Sequence, residues 1–182
     1  MYKRQHLLSA LIWLPVFGSV FVLLAESWWG ERAARYLATW IALFMFVISL
    51  PLYFGFSATT SVMQFVEHIN WIPYFEINYD LGVDGISMPL VILSCFTTLL
   101  VVLGSWRTVH NKVGQYLAAF LIMQGMVVGV FAALDSILFY FFWEAMLIPM
   151  YLSIGIWGGA RRSYAAVKFF LYTFMGLSLI HI

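Results

Sequence analysis

The sequence has very few charged residues, because Asp, Glu, Lys and Arg together make up 9% of its 182 residues. A soluble domain carries about 25% charged residues, so this chain cannot build a water-facing surface. The formal net charge of +1 gives no reason to expect a nucleic acid as partner. Hydrophobic residues make up 64% of the chain, in long runs between short charged stretches. This composition predicts an integral membrane protein whose surroundings are the lipid bilayer.

Cysteine is almost absent, since Cys95 is the only one in the chain. A single thiol excludes an intrachain disulfide and a cysteine metal cluster. The four histidines have no pair at metal-ligand spacing, and we therefore predict no metal site. The sequence also lacks a glycine-rich phosphate loop, a nucleophile motif and a haem-attachment pattern. These absences argue against a self-contained small enzyme.

Long apolar segments are what the chain has in abundance. A bilayer core about 30 Å thick needs about 20 apolar residues of helix. Segments of that length lie near residues 6–25, 37–56, 86–104, 116–134, 136–157 and 164–182. The first could be a cleavable signal peptide, but it is long and lacks a clear small-residue cleavage site, so we interpret it as a retained helix. We predict an all-α membrane protein, with residues 1–182 forming a single transmembrane domain of about six helices.

The links between these segments differ in the sign of their charge. The second link carries acids and no Lys or Arg, whereas basic residues lie in the first, third and fifth links: Arg32, Arg35, Arg107, Lys112, Arg161 and Arg162. The positive-inside rule counts basic residues and places these three links in the cytoplasm. The N-terminus is then predicted to lie outside, despite Lys3 and Arg4.

The long acidic link between the second and third segments has a structure of its own. Polar and apolar residues alternate over residues 74–83, which predicts one or two short strands forming a hairpin outside the membrane. Asp84 and Ser87 are both candidate N-caps for the third helix, with Pro89 in its first turn.

Glu144 is the residue whose type and position are most informative. It lies eight residues after Ser136 and thirteen before Trp157, within an apolar segment. An acid at that depth costs about 3 kcal/mol even on insertion-based scales, and such residues usually serve ion or proton pathways. Held between apolar surroundings and a cation, a carboxyl group can take up and release a proton near neutral pH. The structural alternative is a protonated Glu144 that hydrogen-bonds a neighbouring helix.

Pro149 is predicted to kink the same helix, because proline supplies no N–H to the carbonyl of Ala145. That free carbonyl could hold a water molecule beside Glu144. Tyr140 and Tyr151 fall on roughly the same helix face as Glu144. A simple packing kink remains the alternative interpretation.

Lys168 is a second candidate. Counted from the cytoplasmic end, it lies ~7 Å into the sixth helix and Glu144 lies ~20 Å deep, so a direct ion pair is not expected. Lys168, Tyr172 and Gly176 recur every four residues and could form a route by which protons enter. The alternative is a lysine that snorkels to the headgroups.

Six further positions are predicted to allow close helix packing: Gln124, Gly125 and Gly129 in the fourth helix, with Ser94, Thr97 and Thr98 in the third.

Several stretches of the chain resemble subunit M of the proton-pumping NADH-quinone oxidoreductase, respiratory complex I. The stretches are Trp-Ile-Pro from residue 71, Val-Asp-Gly-Ile-Ser-Met-Pro-Leu from residue 83, Leu-Phe-Tyr-Phe-Phe-Trp-Glu-Ala-Met-Leu-Ile-Pro-Met-Tyr from residue 138, Ile-Gly-Ile-Trp-Gly-Gly from residue 154 and Ala-Val-Lys-Phe-Phe-Leu-Tyr-Thr from residue 166. The resemblance covers nearly the whole chain, and the stretch around Glu144 is very specific.

The resemblance implies an antiporter-like subunit in the bacterial inner (plasma) membrane, with its N-terminus on the periplasmic side and other membrane subunits of complex I as partners. It implies that Glu144 is a proton-channel residue that works with a lysine on a broken seventh helix. NADH, flavin, iron–sulfur clusters and quinone are expected in other subunits, with no cofactor on this one. Members of the family have fourteen helices, so we expect this chain to be the truncated N-terminal part of such a subunit and unable to pump by itself.

Two alternatives stay open. The chain could belong to a multi-subunit sodium/proton antiporter or a membrane-bound hydrogenase of the same superfamily. It could also be a purely structural membrane module in which Glu144 only joins helices.

Overall fold

The computed structural model describes residues 6–57, 59–60, 62–72 and 77–181, which form six α-helices and one β-hairpin. In chain order the elements are α1 (Leu7–Trp29), α2 (Glu31–Gly55), β1 (Gln64–Ile72), β2 (Ile77–Val83), α3 (Ser87–Thr108), α4 (Val113–Ala132), α5 (Ser136–Trp157) and α6 (Arg162–His181). The predicted all-α membrane fold, with a hairpin between the second and third helices, is confirmed.

Several helices extend beyond the segments predicted from hydropathy. The fifth has the predicted bounds, but α1 continues to Trp29 and α2 already begins at Glu31. Apolar content marks the part of a helix that lies in hydrocarbon, whereas the hydrogen-bonded turns continue into the interface. Only Gly30, whose φ of +84° suits glycine, separates the two helices.

The structure has a helix for each of the six predicted spans. Five described helices, α1 to α5, are long and apolar enough to cross a bilayer. The predicted sixth span corresponds to α6, and its crossing of the bilayer stays a prediction.

The fourth helix lies at the centre of the bundle and packs against α1, α2, α3 and α5, while α6 packs on α5 at the edge. Two glycines explain the close approach. A Cβ on Gly125 would meet the Ile12 carbonyl oxygen of α1 at 2.3 Å, and one on Gly129 would meet the Phe142 ring of α5 at 2.6 Å. The predicted packing role of both glycines is confirmed.

The other four predicted packing positions differ in how far they are buried. Gln124 and Thr98 are buried, and Ser94 is half-buried. Thr97 is exposed, and its hydroxyl donates to the Ser94 carbonyl of its own helix, so its predicted packing role is wrong. Thr97 and Thr98 are adjacent and therefore point about 100° apart on the helix.

The two strands pair antiparallel, with Ile69 opposite Tyr79. The predicted strand at 77–83 is β2, whereas residues 74–76 lie outside the described part of the chain. The first strand, β1, was not predicted. Its register shifts between Gln64 and Glu67, and such an irregularity removes the strict two-residue alternation by which strands are recognised.

Asp84 connects the hairpin to α3. Its carboxylate accepts hydrogen bonds from the Ser87 N–H at 2.6 Å and the Ile86 N–H at 3.0 Å, and the Ser87 hydroxyl accepts from the Asp84 N–H at 2.9 Å. This reciprocal arrangement resembles a capping box. Asp84 therefore has the predicted capping role, and Ser87, in the first turn, accepts the return hydrogen bond from the Asp84 N–H. The hydrogen bond from the Ser87 N–H lowers the pKa of the Asp84 carboxyl below its ordinary value of 3.8.

We expect Asp84→Ala to lower the stability of the chain by ~1 kcal/mol at neutral pH, the usual cost of losing an N-cap. A carboxyl whose folded pKa is depressed contributes stability above its unfolded value of 3.8, and this is lost as pH falls through the lower folded pKa. The difference between wild type and Asp84→Ala should therefore narrow below about pH 4. Thermal unfolding in detergent from pH 6 to 3 measures it; Asp84→Asn, a cap that does not titrate, should keep its advantage over Ala. A constant difference between wild type and Asp84→Ala would contradict this account.

Arg35 ties α2 to the end of α3. Its guanidinium donates to three carbonyl oxygens: Ser105 at 3.2 Å, Trp106 at 3.0 Å and Val109 at 2.7 Å. The last carbonyls of a helix have no partner in the helix and carry partial negative charge, so a cation stabilises them.

We expect Arg35→Lys to lower the free energy of unfolding by roughly 1–3 kcal/mol, because an ammonium cannot span three carbonyls as the planar guanidinium does. Arg32→Lys is the matched control, since Arg32 is exposed and donates no hydrogen bond among the described residues. Loss of helical signal in a denaturing-detergent titration measures both variants, and equal stability of the two would disprove the capping role.

Candidate functional site

The helix that carries the site, α5, has a well-defined start. The Asp135 carboxylate accepts hydrogen bonds from the Ile137 N–H at 2.7 Å and the Leu138 N–H at 3.1 Å, which satisfies two N–H groups that have no partner in the helix. The helix then runs without interruption to Trp157. The ring N–H of Trp157 donates to the Asn111 carbonyl at 2.8 Å, so this end of α5 is joined to the α3–α4 link.

Glu144 lies ~12 Å along α5 from Ser136 and ~20 Å from Trp157, at 1.5 Å per residue. The contacts of α5 with α6 show which way it faces. Tyr151 packs its ring against Phe170, with the ring centroids 5.8 Å apart, and Gly155 lies beside Ala166. Glu144 is seven residues before Tyr151 and therefore lies on the same face of α5, toward the last turns of α6.

The Glu144 carboxyl group is only partly satisfied. Tyr140, one turn earlier, is positioned to form a side-chain hydrogen bond with it. Its Oε1 atom is buried and finds no hydrogen-bond partner in the described part of the chain, and the same holds for the ring N–H of the adjacent Trp143. A buried acceptor and a buried donor without partners cost about 1–3 kcal/mol each, so this place has unused capacity for a water molecule or another polar group.

The two tyrosines predicted to share a face of α5 with Glu144 have different surroundings. Tyr140 is beside Glu144 as predicted, whereas Tyr151 is 37% exposed and contacts Phe170. Trp143 was not predicted as a site residue. Its position next to an intramembrane acid is the only sequence signal that could have indicated it.

Pro149 is buried inside α5, and the helix continues through it. Its own carbonyl accepts a hydrogen bond from the Ser153 hydroxyl at 2.8 Å. With Ala145, Pro149 lines an apolar cleft between α4 and α5, whose other walls include Met126 and Ile148. The proline thus faces α4, on a different side of α5 from Glu144, and its kinking role stays a prediction.

Lys168 lies outside the contact between α5 and α6. Tyr151 faces Phe170 and Gly155 faces Ala166, so Lys168 is level with about residue 153, roughly nine residues or ~14 Å from Glu144. Its ammonium group is exposed and lies 5.6 Å from the Tyr164 ring and 5.7 Å from the Tyr172 ring. Phe170 and Lys168 are about 200° apart around α6, so Lys168 does not lie in the contact with α5 but at the edge of it, where it lines a cleft with Ile154. The two groups are not level, as the depth count predicted, and the proposed proton route stays a prediction.

Two carboxylates that the sequence did not single out hold helix ends together. Glu67 of β1 is buried and accepts from the Leu8 N–H at 2.9 Å and from the Ser9 hydroxyl, at the start of α1. Glu26 at the end of α1 accepts from the Gly114 N–H at 2.7 Å, at the start of α4. Each acid caps a helix that is distant in sequence, which no local motif could have indicated. Burial raises the pKa of the Tyr79 hydroxyl, which lies close to Glu67.

Within the described ranges, no group of three or more His, Cys, Asp or Glu side chains is arranged to hold a metal ion. Cys95 is buried and forms no disulfide.

The chain matches two family descriptions. Residues 8–133 match "NADH-ubiquinone oxidoreductase chain 4, amino terminus", and residues 133–181 match "NADH:quinone oxidoreductase/Mrp antiporter, TM".

Individual relatives agree. The chain is 45% identical to NADH-quinone oxidoreductase subunit M of Rhodobacter capsulatus over 180 residues, which cover 97% of the chain and 34% of that protein. It is 41% identical to NADH-ubiquinone oxidoreductase chain 4 of Marchantia polymorpha over 170 residues, covering 93% of the chain and 34% of that protein.

A solved structure shares the fold. It is respiratory complex I from Thermus thermophilus with bound NADH, in which one chain matches with a TM-score of 0.77 and 28% identity over 93% of this chain and 33% of its own length. The chain thus spans about a third of the length of the relatives it matches. It is a multi-pass membrane protein, and it belongs to the NADH-quinone oxidoreductase subunit M, or chain 4, family.

Proposed function

We propose that the chain is the amino-terminal part of a proton-translocating subunit of NADH-quinone oxidoreductase and that Glu144 takes up and releases the proton. The observation that supports this most directly is the Glu144 carboxyl group itself. It lies deep within a membrane-spanning helix, with one oxygen buried and unpaired among the described residues. An ionisable group in hydrocarbon is costly and usually marks an ion or proton path.

The surroundings of Glu144 suit proton exchange. Tyr140 contacts one side of the carboxyl group, and the ring N–H of Trp143, the preceding residue, lacks a partner in the described part of the chain. A water molecule bound to the free Glu144 oxygen would connect it to a proton path. The side of α5 that carries Glu144 faces the end of α6 and is not covered by α4.

We further propose that this chain carries no redox group, and that NADH oxidation and quinone reduction take place in other subunits and drive proton movement here. Thiolate clusters cannot be built from one cysteine, and no haem-attachment pattern is present. Other membrane subunits of complex I would then be its partners. We also propose that Lys168 belongs to a cytoplasmic route by which protons enter, with a lysine that snorkels to the headgroups as the alternative.

Orientation is part of the proposal. The basic residues of the first, third and fifth links lie at one end of the bundle, where Arg35 contacts the end of α3 and Trp157 contacts Asn111. The positive-inside rule supports a cytoplasmic location for this end. The N-terminus and the hairpin would then lie on the periplasmic side of a bacterial inner membrane, in keeping with the Rhodobacter capsulatus relative.

The relatives favour this function over a sodium/proton antiporter or a hydrogenase, because those reported above are named as oxidoreductase subunits. The deciding experiment places Glu144→Gln in the full-length subunit of an assembled oxidoreductase and compares proton pumping with complex assembly. Normal assembly with unimpaired pumping would leave only the structural role for Glu144.

A further inference from the structure

At the turn between α5 and α6 lies a cleft of about 570 Å³ that has no part in the site around Glu144. Three basic side chains line it, from Arg161, Arg162 and Lys168. Apolar side chains, among them Ile154 and Phe169, form its other wall. The cleft is therefore amphipathic, with cations along one side and hydrocarbon along the other.

The three cations have no carboxylate partner within the described ranges, where both close acid–base pairs involve histidines of the N-terminal part. One guanidinium nitrogen of Arg162 donates to the Ile156 carbonyl at 2.7 Å and so caps the end of α5. Lys168 contacts only the faces of Tyr164 and Tyr172, and the Arg161 side chain forms no hydrogen bond among the described residues. Like charges around one cleft repel one another, and an anion bound between them would offset that repulsion.

The level of the cleft in the membrane indicates where that anion comes from. Trp157 ends α5, and tryptophan is enriched at the membrane–water interface. By the pairing of Gly155 with Ala166, Lys168 lies only about one turn, or ~6 Å, below the level of Trp157. A lysine at this depth reaches the headgroup region, and the apolar wall of the cleft continues toward the bilayer core.

We propose that this cleft binds the phosphate group of an anionic phospholipid, with an acyl chain along the wall formed by Ile154 and Phe169. Arg161 and Lys168 supply the free charges, and Arg162 holds the turn in place while it adds a third. A soluble phosphate would satisfy the cations, but it would leave the apolar wall without a partner. The proposal does not depend on the proton pathway above.

The test measures lipid binding to the 182-residue chain in neutral detergent by native mass spectrometry. Phosphatidylglycerol and phosphatidylcholine are titrated onto wild type and onto the double variant Arg161→Gln/Lys168→Gln, which leaves the Arg162 cap intact. The matched control is Arg107→Gln/Lys112→Gln, since both residues are exposed basic groups of the α3–α4 link, away from this cleft. Circular dichroism confirms that each variant is folded.

Each basic residue near an anionic headgroup strengthens binding roughly 5-fold, so we expect the cleft variant to raise the Kd for phosphatidylglycerol about 25-fold. The control variant should change that Kd less than 2-fold, and phosphatidylcholine binding should not respond to either. Arg161→Lys/Lys168→Arg, which keeps both charges, should stay within 3-fold of wild type.

Three outcomes would overturn the proposal. Equal losses in the cleft and control variants would show a general effect of surface charge. An unchanged Kd in the folded cleft variant would show that lipid binds elsewhere. Displacement of the lipid by inorganic phosphate at constant ionic strength would show a site for a free anion.

Discussion

Replacing Glu144 with Gln should reduce NADH-driven proton pumping by at least ~10-fold in an oxidoreductase assembled with the full-length subunit, while the complex still assembles. Gln has nearly the shape of Glu and can keep the contact with Tyr140, but it cannot take up or release a proton. A positioned acid–base group contributes roughly 100-fold or more to a proton transfer. A loss of pumping smaller than ~10-fold would therefore require that many protons pass by routes that do not include Glu144.

The control is Glu31→Gln, because Glu31 is an exposed acid at the start of α2. It removes the same charge by the same substitution and should leave pumping unchanged. Pumping is measured as acidification by vesicles relative to NADH oxidation, and assembly by the amount of intact complex. If Glu144→Gln instead reduced assembly and left the ratio of pumping to oxidation intact, Glu144 would have the structural role of joining helices.

A graded substitution adds a second measurement. Glu144→Asp keeps the ionisable group but shortens the side chain by one methylene. The carboxyl group then moves away from the position in which Tyr140 meets it, so we expect intermediate pumping. Activity of the Asp variant at or below that of the Gln variant would show that position, rather than ionisation alone, controls the transfer.

The sequence predicted those parts of this fold that depend on local composition. Apolar runs located α5 with the observed bounds, because Asp135 and the Gly158–Gly159 pair end the run sharply on both sides. The apolar pattern could not locate the start of α2, because the turns around Arg32 and Arg35 are helical but polar. Those turns are stabilised by contacts with the end of α3, about 70 residues later in the chain.

In the candidate site, too, local sequence indicates some features, and others depend on how the helices pack. Glu144 was found because an acid among apolar residues is conspicuous in any sequence. The burial of the Trp143 ring N–H and the Glu144 Oε1 atom without partners in the described part of the chain depends on how α5 packs, and no local pattern contains that information. The position of Lys168 outside the contact with α5 likewise follows from which face of α6 packs on α5, and four-residue spacing could not settle it.

The largest expected effect on stability is that of Gly125→Ala, which should cost about 3 kcal/mol or prevent folding. Its Cβ would lie 2.3 Å from the Ile12 carbonyl oxygen and 2.9 Å from Val16, so α1 and α4 must move apart. Overpacking a core usually costs 1–3 kcal/mol, and here the obstacle is backbone that cannot rotate away. The measurement is the free energy of unfolding in a denaturing-detergent titration.

Two other glycines make the comparison quantitative. A Cβ on Gly104 of α3 meets nothing within 4 Å, so Gly104→Ala should be neutral or stabilise by up to ~1 kcal/mol. Equal destabilisation by Gly125→Ala and Gly104→Ala would show that helix packing is not the cause. Gly129→Ala should fall between them, because its obstacle is the Phe142 ring, a side chain that can turn aside.

Gly129→Ala also links packing to function. Phe142 lies on α5 two residues before Glu144, so a shift of its ring changes how α5 lies against α4 and displaces the carboxyl group. We therefore expect the assembled enzyme with Gly129→Ala to lose more proton pumping than its modest loss of stability accounts for. If pumping fell only in proportion to the amount of intact complex, the α4–α5 contact would hold the helices together without positioning Glu144.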